Sequence, residues 1–115
     1  AFAHGGGAFP FTIGRIEHAF HVRPELVAID NRTNPRSYLA NGKTAARFYV
    51  DSLVHDANAL RTLIRLFGLQ RVALGSDYPF PLGEMKAGQL IEAMNLSDKE
   101  KEQLLYGTAR EFLAL

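Results

Sequence analysis

The run Val72-Ala73-Leu74-Gly75-Ser76-Asp77-Tyr78-Pro79-Phe80-Pro81 constrains this chain more than any other stretch. Its three leading apolar residues predict a short buried strand. Gly75 and Ser76 end that strand, and Asp77 stands just beyond it. Pro79 and Pro81 then forbid a continuing ladder, because each lacks an N–H donor. Folds of the α/β class place their chemistry at the C-terminal tips of buried strands, which makes Asp77 a candidate functional carboxylate. Asp also caps turns and helices at such junctions, so position alone leaves both roles open.

A second stretch, His4-Gly5-Gly6-Gly7-Ala8-Phe9-Pro10-Phe11, stands at the other end of the chain. Phe2-Ala3-His4 reads as the end of a strand, and the three glycines allow a tight turn into a helix. The glycines lack GxGxxG spacing and no complete strand precedes them, so they are not read as a dinucleotide loop. His4 at such a rim suits an acid/base or a metal ligand, and equally a histidine hydrogen-bonded at the edge of a core. The opening residues carry no basic region and no initiator Met, so a fragment of a longer protein is expected.

Between these ends, apolar residues from Phe11 to Val22 fit a helix opened by Pro10. Arg15 on it reads first as a solvated helix charge. Arg23 to Lys43 is rich in turn signals, including Asp30-Asn31 and Asn34-Pro35, with one helical turn expected over Pro24 to Ile29. Its dispersed basic residues point to a solvated loop. Arg47 to Asp51 predicts a second strand, ended by Asp51-Ser52. His55 lies on the rim that follows, open to a role as a cap or core-edge histidine. Asp56 is placed to cap a helix from Ala57 to Phe67, which Gly68 closes. Leu82 to Met94 predicts a helix, interrupted or restarted near Gly88. Ser97 and Glu100 form a capping-box signal for a helix running to Tyr106 and stopping at Gly107, before a last amphipathic turn over Thr108 to Leu113.

Strands thus alternate with helices, which is the pattern of a parallel sheet. Three such units fit the end of an open sheet or the last units of a (β/α)₈ barrel, and a full barrel needs about 250 residues. The 115 residues suffice for one modest domain, 1–115. A net charge of +1 gives no electrostatic case for nucleic acid or a membrane surface. Without cysteine there is no disulfide framework and no support for secretion, and no apolar run approaches a membrane span. A cytoplasmic location is expected.

Three motifs then carry a specific resemblance. His4 to Phe11 with Gly14-Arg15, Asp51-Ser52-Leu53-Val54-His55-Asp56, and Leu74 to Glu84 closely resemble, in the same order, the C-terminal half of the aminocarboxymuconate-semialdehyde decarboxylases. That family belongs to the metal-dependent amidohydrolase superfamily of (β/α)₈ TIM barrels. The resemblance implies an incomplete barrel of α/β class, about strands 6 to 8. It implies Asp77 as a metal ligand and His4 as the acid/base. Arg15 would bind a substrate carboxylate from the neighbouring subunit of a homodimer or larger homo-oligomer, and Phe80 would line the pocket. His55 is carried over only as a residue near the site.

The implied reaction is decarboxylation of 2-amino-3-carboxymuconate 6-semialdehyde, in tryptophan/kynurenine or nitrobenzoate catabolism. A divalent metal such as zinc lowers the pKa of the water it binds toward about 7. Attack of hydroxide on the enamine-like carbon of the semialdehyde, with protonation of its neighbour, would set up loss of CO₂. The arginine fork suits a small-molecule carboxylate substrate.

The family's histidine ligands come from its first and fifth strands, which have no counterpart here. Asp77 alone cannot satisfy a metal that takes about four ligands, so the metal is not expected to be held by this chain alone. Asn41 to Ala46 reads as an insertion that would alter a dimer surface, and Thr108 stands where relatives usually carry Asn. Two other readings remain: another superfamily reaction, such as hydrolysis, hydration or aromatic-acid decarboxylation, and a catalytically dead module that self-associates through open strand edges.

Overall fold

The computed structural model describes residues 1–30 and 32–115. Asn31, half of the Asp30-Asn31 turn signal, lies outside the described residues. The sheet is small and parallel. Strand β1 (Val50–Asp51) pairs with β2 (Val72–Ala73), Val50 opposite Val72 and Asp51 opposite Ala73. On the other side of β1, Phe2 forms a parallel bridge to Val50. The Phe2 N–H donates to the Tyr49 carbonyl at 2.9 Å, and the Asp51 N–H to the Phe2 carbonyl at 3.2 Å. Three chain segments therefore lie side by side in sequence order, all pointing the same way.

The expected strands at 47–51 and 72–74 are real but shorter, and the N-terminal one is a single bridge. Their apolar content has a clear reason: Val50 and Val72 are wholly buried. They pack in one core with Leu60, Leu63, Phe67, Ile91 and Leu104.

Helix α1 (Phe9–Val22) begins two residues earlier than the spacing predicts, with Pro10 in its first turn. It is followed by α2 (Pro24–Val27) and a 3₁₀ turn over Pro35–Tyr38. Arg23, Arg32, Arg36, Lys43 and Arg47 are all exposed, as expected of a solvated segment. The stretch read as an insertion is tied down: the Asn41 side chain accepts from the Lys43 and Thr44 N–H groups, and the Ala46 N–H donates to the Phe67 carbonyl.

Helix α3 (Ala57–Phe67) follows the expected bounds, with Leu60, Leu63 and Phe67 on its buried face. The Asp56 carboxylate accepts from the Ala59 N–H at 2.7 Å. That bond satisfies one of the four N–H groups that a helix start leaves without partners. Asp56→Ala is expected to lower stability by about 1 kcal/mol. Urea unfolding should show a lower midpoint with an unchanged slope; an unmoved midpoint would count against the cap.

Two expectations fail C-terminal to β2. Of the helix over 82–94 only the part restarted at Gly88 forms, as α4 (Gln89–Ala93). The preceding residues instead fold back, the Glu84 N–H donating to the Ser76 carbonyl at 2.9 Å and the Glu84 carboxylate accepting from the Gly88 N–H at 2.8 Å. Gly88, with φ of 87°, supplies the left-handed residue from which α4 starts.

Gly107 does not stop a helix. After α5 (Asp98–Glu102), opened by the Ser97–Glu100 capping box, a π-helical turn over Gln103–Gly107 leads directly into α6 (Thr108–Leu113). The two Ser97 hydrogen bonds hold the Glu100 carboxyl below its ordinary range. Gly107 is helical, and a Cβ there would meet the Gln103 side chain at 2.9 Å. That side chain crosses the turn to donate to the Thr108 hydroxyl and the Glu111 carboxylate. Glycine at 107 makes room for this crossing. Thr108 is fully buried, and its hydroxyl donates to the Leu69 carbonyl.

No helix among the described residues is long and apolar enough to cross a membrane. The radius of gyration is 15.1 Å, against about 13 Å for a compact domain of this length. Large apolar side chains stand in solvent, among them Phe11, Leu26, Ile29, Leu82 and Met85.

Candidate functional site

Because the three segments are parallel, their C-terminal ends share one edge of the sheet. The loops that leave this edge carry His4, His55 and Asp77. Each of the three residues has a left-handed backbone, with φ of 54°, 52° and 56°. Non-glycine residues seldom adopt this conformation, and Asp and His do so more readily than most. Strain of this kind concentrates at functional sites, where the surrounding structure holds it in place.

His4 and Asp77, 73 residues apart in sequence, meet here. The His4 Nε2 lies 3.3 Å from Asp77 Oδ1. A carboxylate can only accept, so Nε2–H donates and Nδ1 is free for a second proton. The Asp77 side chain is largely covered at 22% exposure, while His4 is open at 59%. A proton can thus enter or leave the pair at the imidazole. The pair also faces solvent, and a reaction that must exclude water requires further walls.

The pair is held from between. β1 is the middle segment, and its tip reaches both neighbours. Asp51 Oδ1 accepts from the Gly5 N–H at 2.9 Å and from the Leu53 N–H at 3.1 Å. This fixes the turn that displays His4. Ser52, buried at 3% exposure, donates its N–H to the Ala73 carbonyl and accepts from the Gly75 N–H at 3.3 Å through Oγ. Gly75 lies so close to Asp51 that a Cβ there would meet the carboxylate at 2.7 Å. Asp51 and Ser52 thus link the His4 loop to the Asp77 loop. From the sequence they are a strand end and the start of a motif, with no role assigned. The available clue was a hydrogen-bonding pair at the tip of the middle strand, and only the strand order gives that clue meaning.

The other candidates make no side-chain hydrogen bond to this pair. Phe80 is 65% exposed on the turn after Asp77, its N–H donating to the Asp77 carbonyl at 2.8 Å. Arg15 is exposed on α1 and lines a groove of about 290 Å³ with His18, Val22, Arg23, Leu26 and Val27. No hydrogen bond or ion pair joins it to His4 or Asp77. A larger groove of about 450 Å³, lined by Arg61, Arg65 and Glu100 among others, contains neither residue of the pair. Among the described residues no three His, Asp or Glu side chains stand together as a metal would need. Asp77 fits as one ligand of a divalent ion, but the residues present do not complete a site.

Comparison with known proteins gives the class. The chain belongs to the amidohydrolase family, whose model matches residues 1–115. It is 57% identical over 115 residues to 2-amino-3-carboxymuconate-6-semialdehyde decarboxylase of Dictyostelium discoideum, covering 99% of this chain and 30% of that protein. Against the Caenorhabditis elegans protein of the same name it is 42% identical over 113 residues, covering 97% of this chain and 27% of the relative. The chain therefore spans just under a third of the length of these curated relatives. The resemblance carried by the three motifs is borne out. Among solved structures, 5-carboxyvanillate decarboxylase of Novosphingobium aromaticivorans matches with a TM-score of 0.76 and 19% identity, covering 98% of this chain and 32% of that one. That likeness shows the fold.

Proposed function

We propose that this chain is the C-terminal portion of a decarboxylase acting on 2-amino-3-carboxymuconate 6-semialdehyde, and that it forms about strands 6 to 8 of a (β/α)₈ barrel. The observation that carries this reading is the meeting of His4 and Asp77 at 3.3 Å on the C-terminal edge of parallel strands. The 57% identity to a relative of that name supports the substrate.

His4 is the acid/base. In decarboxylation the bond from carbon to the carboxylate breaks, CO₂ leaves, and a proton takes its place on carbon. His4 is exposed enough to deliver that proton and to recover one from solvent. Asp77 orients the imidazole through Nε2–H and offers its carboxylate to a divalent metal, zinc by family resemblance. The metal's other ligands come from outside this chain. When bound, the metal supplies a polarised water. The carboxyvanillate enzyme was solved with manganese and a nitrobenzoic acid, which supports a divalent ion beside a carboxylate-bearing small molecule. Phe80 lines the pocket. Arg15, remote from the pair within its own chain, binds a substrate carboxylate in the neighbouring subunit of a homodimer or larger homo-oligomer. The enzyme is cytoplasmic.

The test is complementation. This chain alone is expected to be inactive. Produced together with the first two-thirds of the Dictyostelium relative, it should restore loss of the semialdehyde and release of CO₂. A folded assembly of the two parts without activity would overturn the reading.

A further inference from the structure

Residues 77 to 84 form a loop that is poorly held by its own side chains. Tyr78, Phe80 and Leu82 are 86%, 65% and 82% exposed, so apolar packing does little to fix them. Its backbone bonds are local: Phe80 N–H to the Asp77 carbonyl, Gly83 N–H to the Phe80 carbonyl, Glu84 N–H to the Ser76 carbonyl. The Glu84 side chain turns to Gly88, equally nearby. Among the described residues, only two hydrogen bonds tie this loop to distant chain. Both come from histidines, and they hold opposite ends: His4 at Asp77 and His55 at Leu82.

The His55 bond is the shorter, with Nε2 2.8 Å from the Leu82 carbonyl oxygen. A carbonyl has no proton to give, so Nε2–H is the donor. His55 makes this bond from a left-handed backbone, φ 52°, which aims its ring from the loop after β1 across to the loop after β2. Nothing in helix capping needs that conformation, because Asp56 is the residue that caps α3.

Resting on the reading of Phe80 as a pocket wall, we propose that His55 is a positioning residue: its Nε2–H grips the Leu82 carbonyl and thereby sets where Phe80 stands at the site. His4 and His55 then have separate tasks. His4 fixes the reacting end of the loop at Asp77, and His55 fixes the end beyond Phe80. His55 touches no substrate, and its influence is on fit more than on proton transfer.

The test compares His55→Leu, which keeps bulk and removes the donor, with His55→Gln, whose terminal amide N–H restores one. In this chain, amide hydrogen exchange at Phe80, Gly83 and Glu84 should quicken about fivefold to tenfold in the Leu variant, the scale of one lost hydrogen bond. In the Gln variant it should return to within about twofold of the original, with α3 amides unchanged in both. Equal exchange in all three proteins, or a change that Gln leaves uncorrected, overturns the clamp. In the complemented enzyme, the Leu variant should raise KM about tenfold with kcat held, and Gln should reverse the rise. If kcat falls as much as kcat/KM, or KM does not move, His55 does not place Phe80. Absence of decarboxylation in the unsubstituted assembly would count against the proposed function alone, since exchange reads the clamp independently.

Discussion

In the complemented enzyme, His4→Ala lowers kcat by about 10²–10⁴-fold, the range associated with losing a positioned proton-transfer group. The geometry says why the loss falls on kcat. His4 is exposed and makes one side-chain bond, to Asp77. Removing an exposed ring opens no cavity, and the Gly5 N–H that anchors the turn stays bound to Asp51. The turn that carries residue 4 should therefore keep its shape while the proton carrier is gone. Steady-state kinetics beside a thermal melt separate the two. An active His4→Ala enzyme would remove His4 from the chemistry.

Asp51→Ala should act in the opposite way, on structure first and on rate through it. One carboxylate oxygen satisfies two N–H groups, those of Gly5 and Leu53. Leaving them without an acceptor costs about 1–3 kcal/mol for each group that stays out of water. The urea midpoint of this chain should drop clearly. Asp51→Asn keeps an acceptor oxygen in the same place and should recover most of the loss. In the complemented enzyme Asp51→Asn should be the more active of the two, because a shift of about 1 Å at a catalytic group can lower rate 10²-fold. Equal stability of Asp51→Ala and the unsubstituted chain would show that the tip of β1 does not hold the His4 turn.

Local chemistry made much of this fold readable. Asp56 and Gly68 bracket α3 in sequence because both ends of a helix need groups that satisfy or redirect its free backbone. The Ser97–Glu100 box works for the same reason. What failed depended on side-chain and turn contacts that helical spacing does not record. Gly107 resembles a stop until the Gln103 side chain is seen filling the space beside it. The run 82–88 contains enough apolar residues for a helix, yet its Glu84 N–H is claimed by the Ser76 carbonyl. The site divides in the same manner. His4 and Asp77 stood out by residue type and strand-end position. Asp51, Ser52 and the His55–Leu82 bond did not, because their meaning lies in which strand is central and which loops it separates.

The left-handed backbones of His4, His55 and Asp77 have a consequence for anyone selecting sturdier versions of this protein. Glycine accepts that conformation without steric penalty, whereas every side chain is strained in it. A screen for heat resistance alone would therefore find glycine tempting at positions 4, 55 and 77, the ones that carry the site. Such variants would relieve backbone strain while losing the His4–Asp77 or His55–Leu82 hydrogen bond, so selection for durability must be run with selection for turnover.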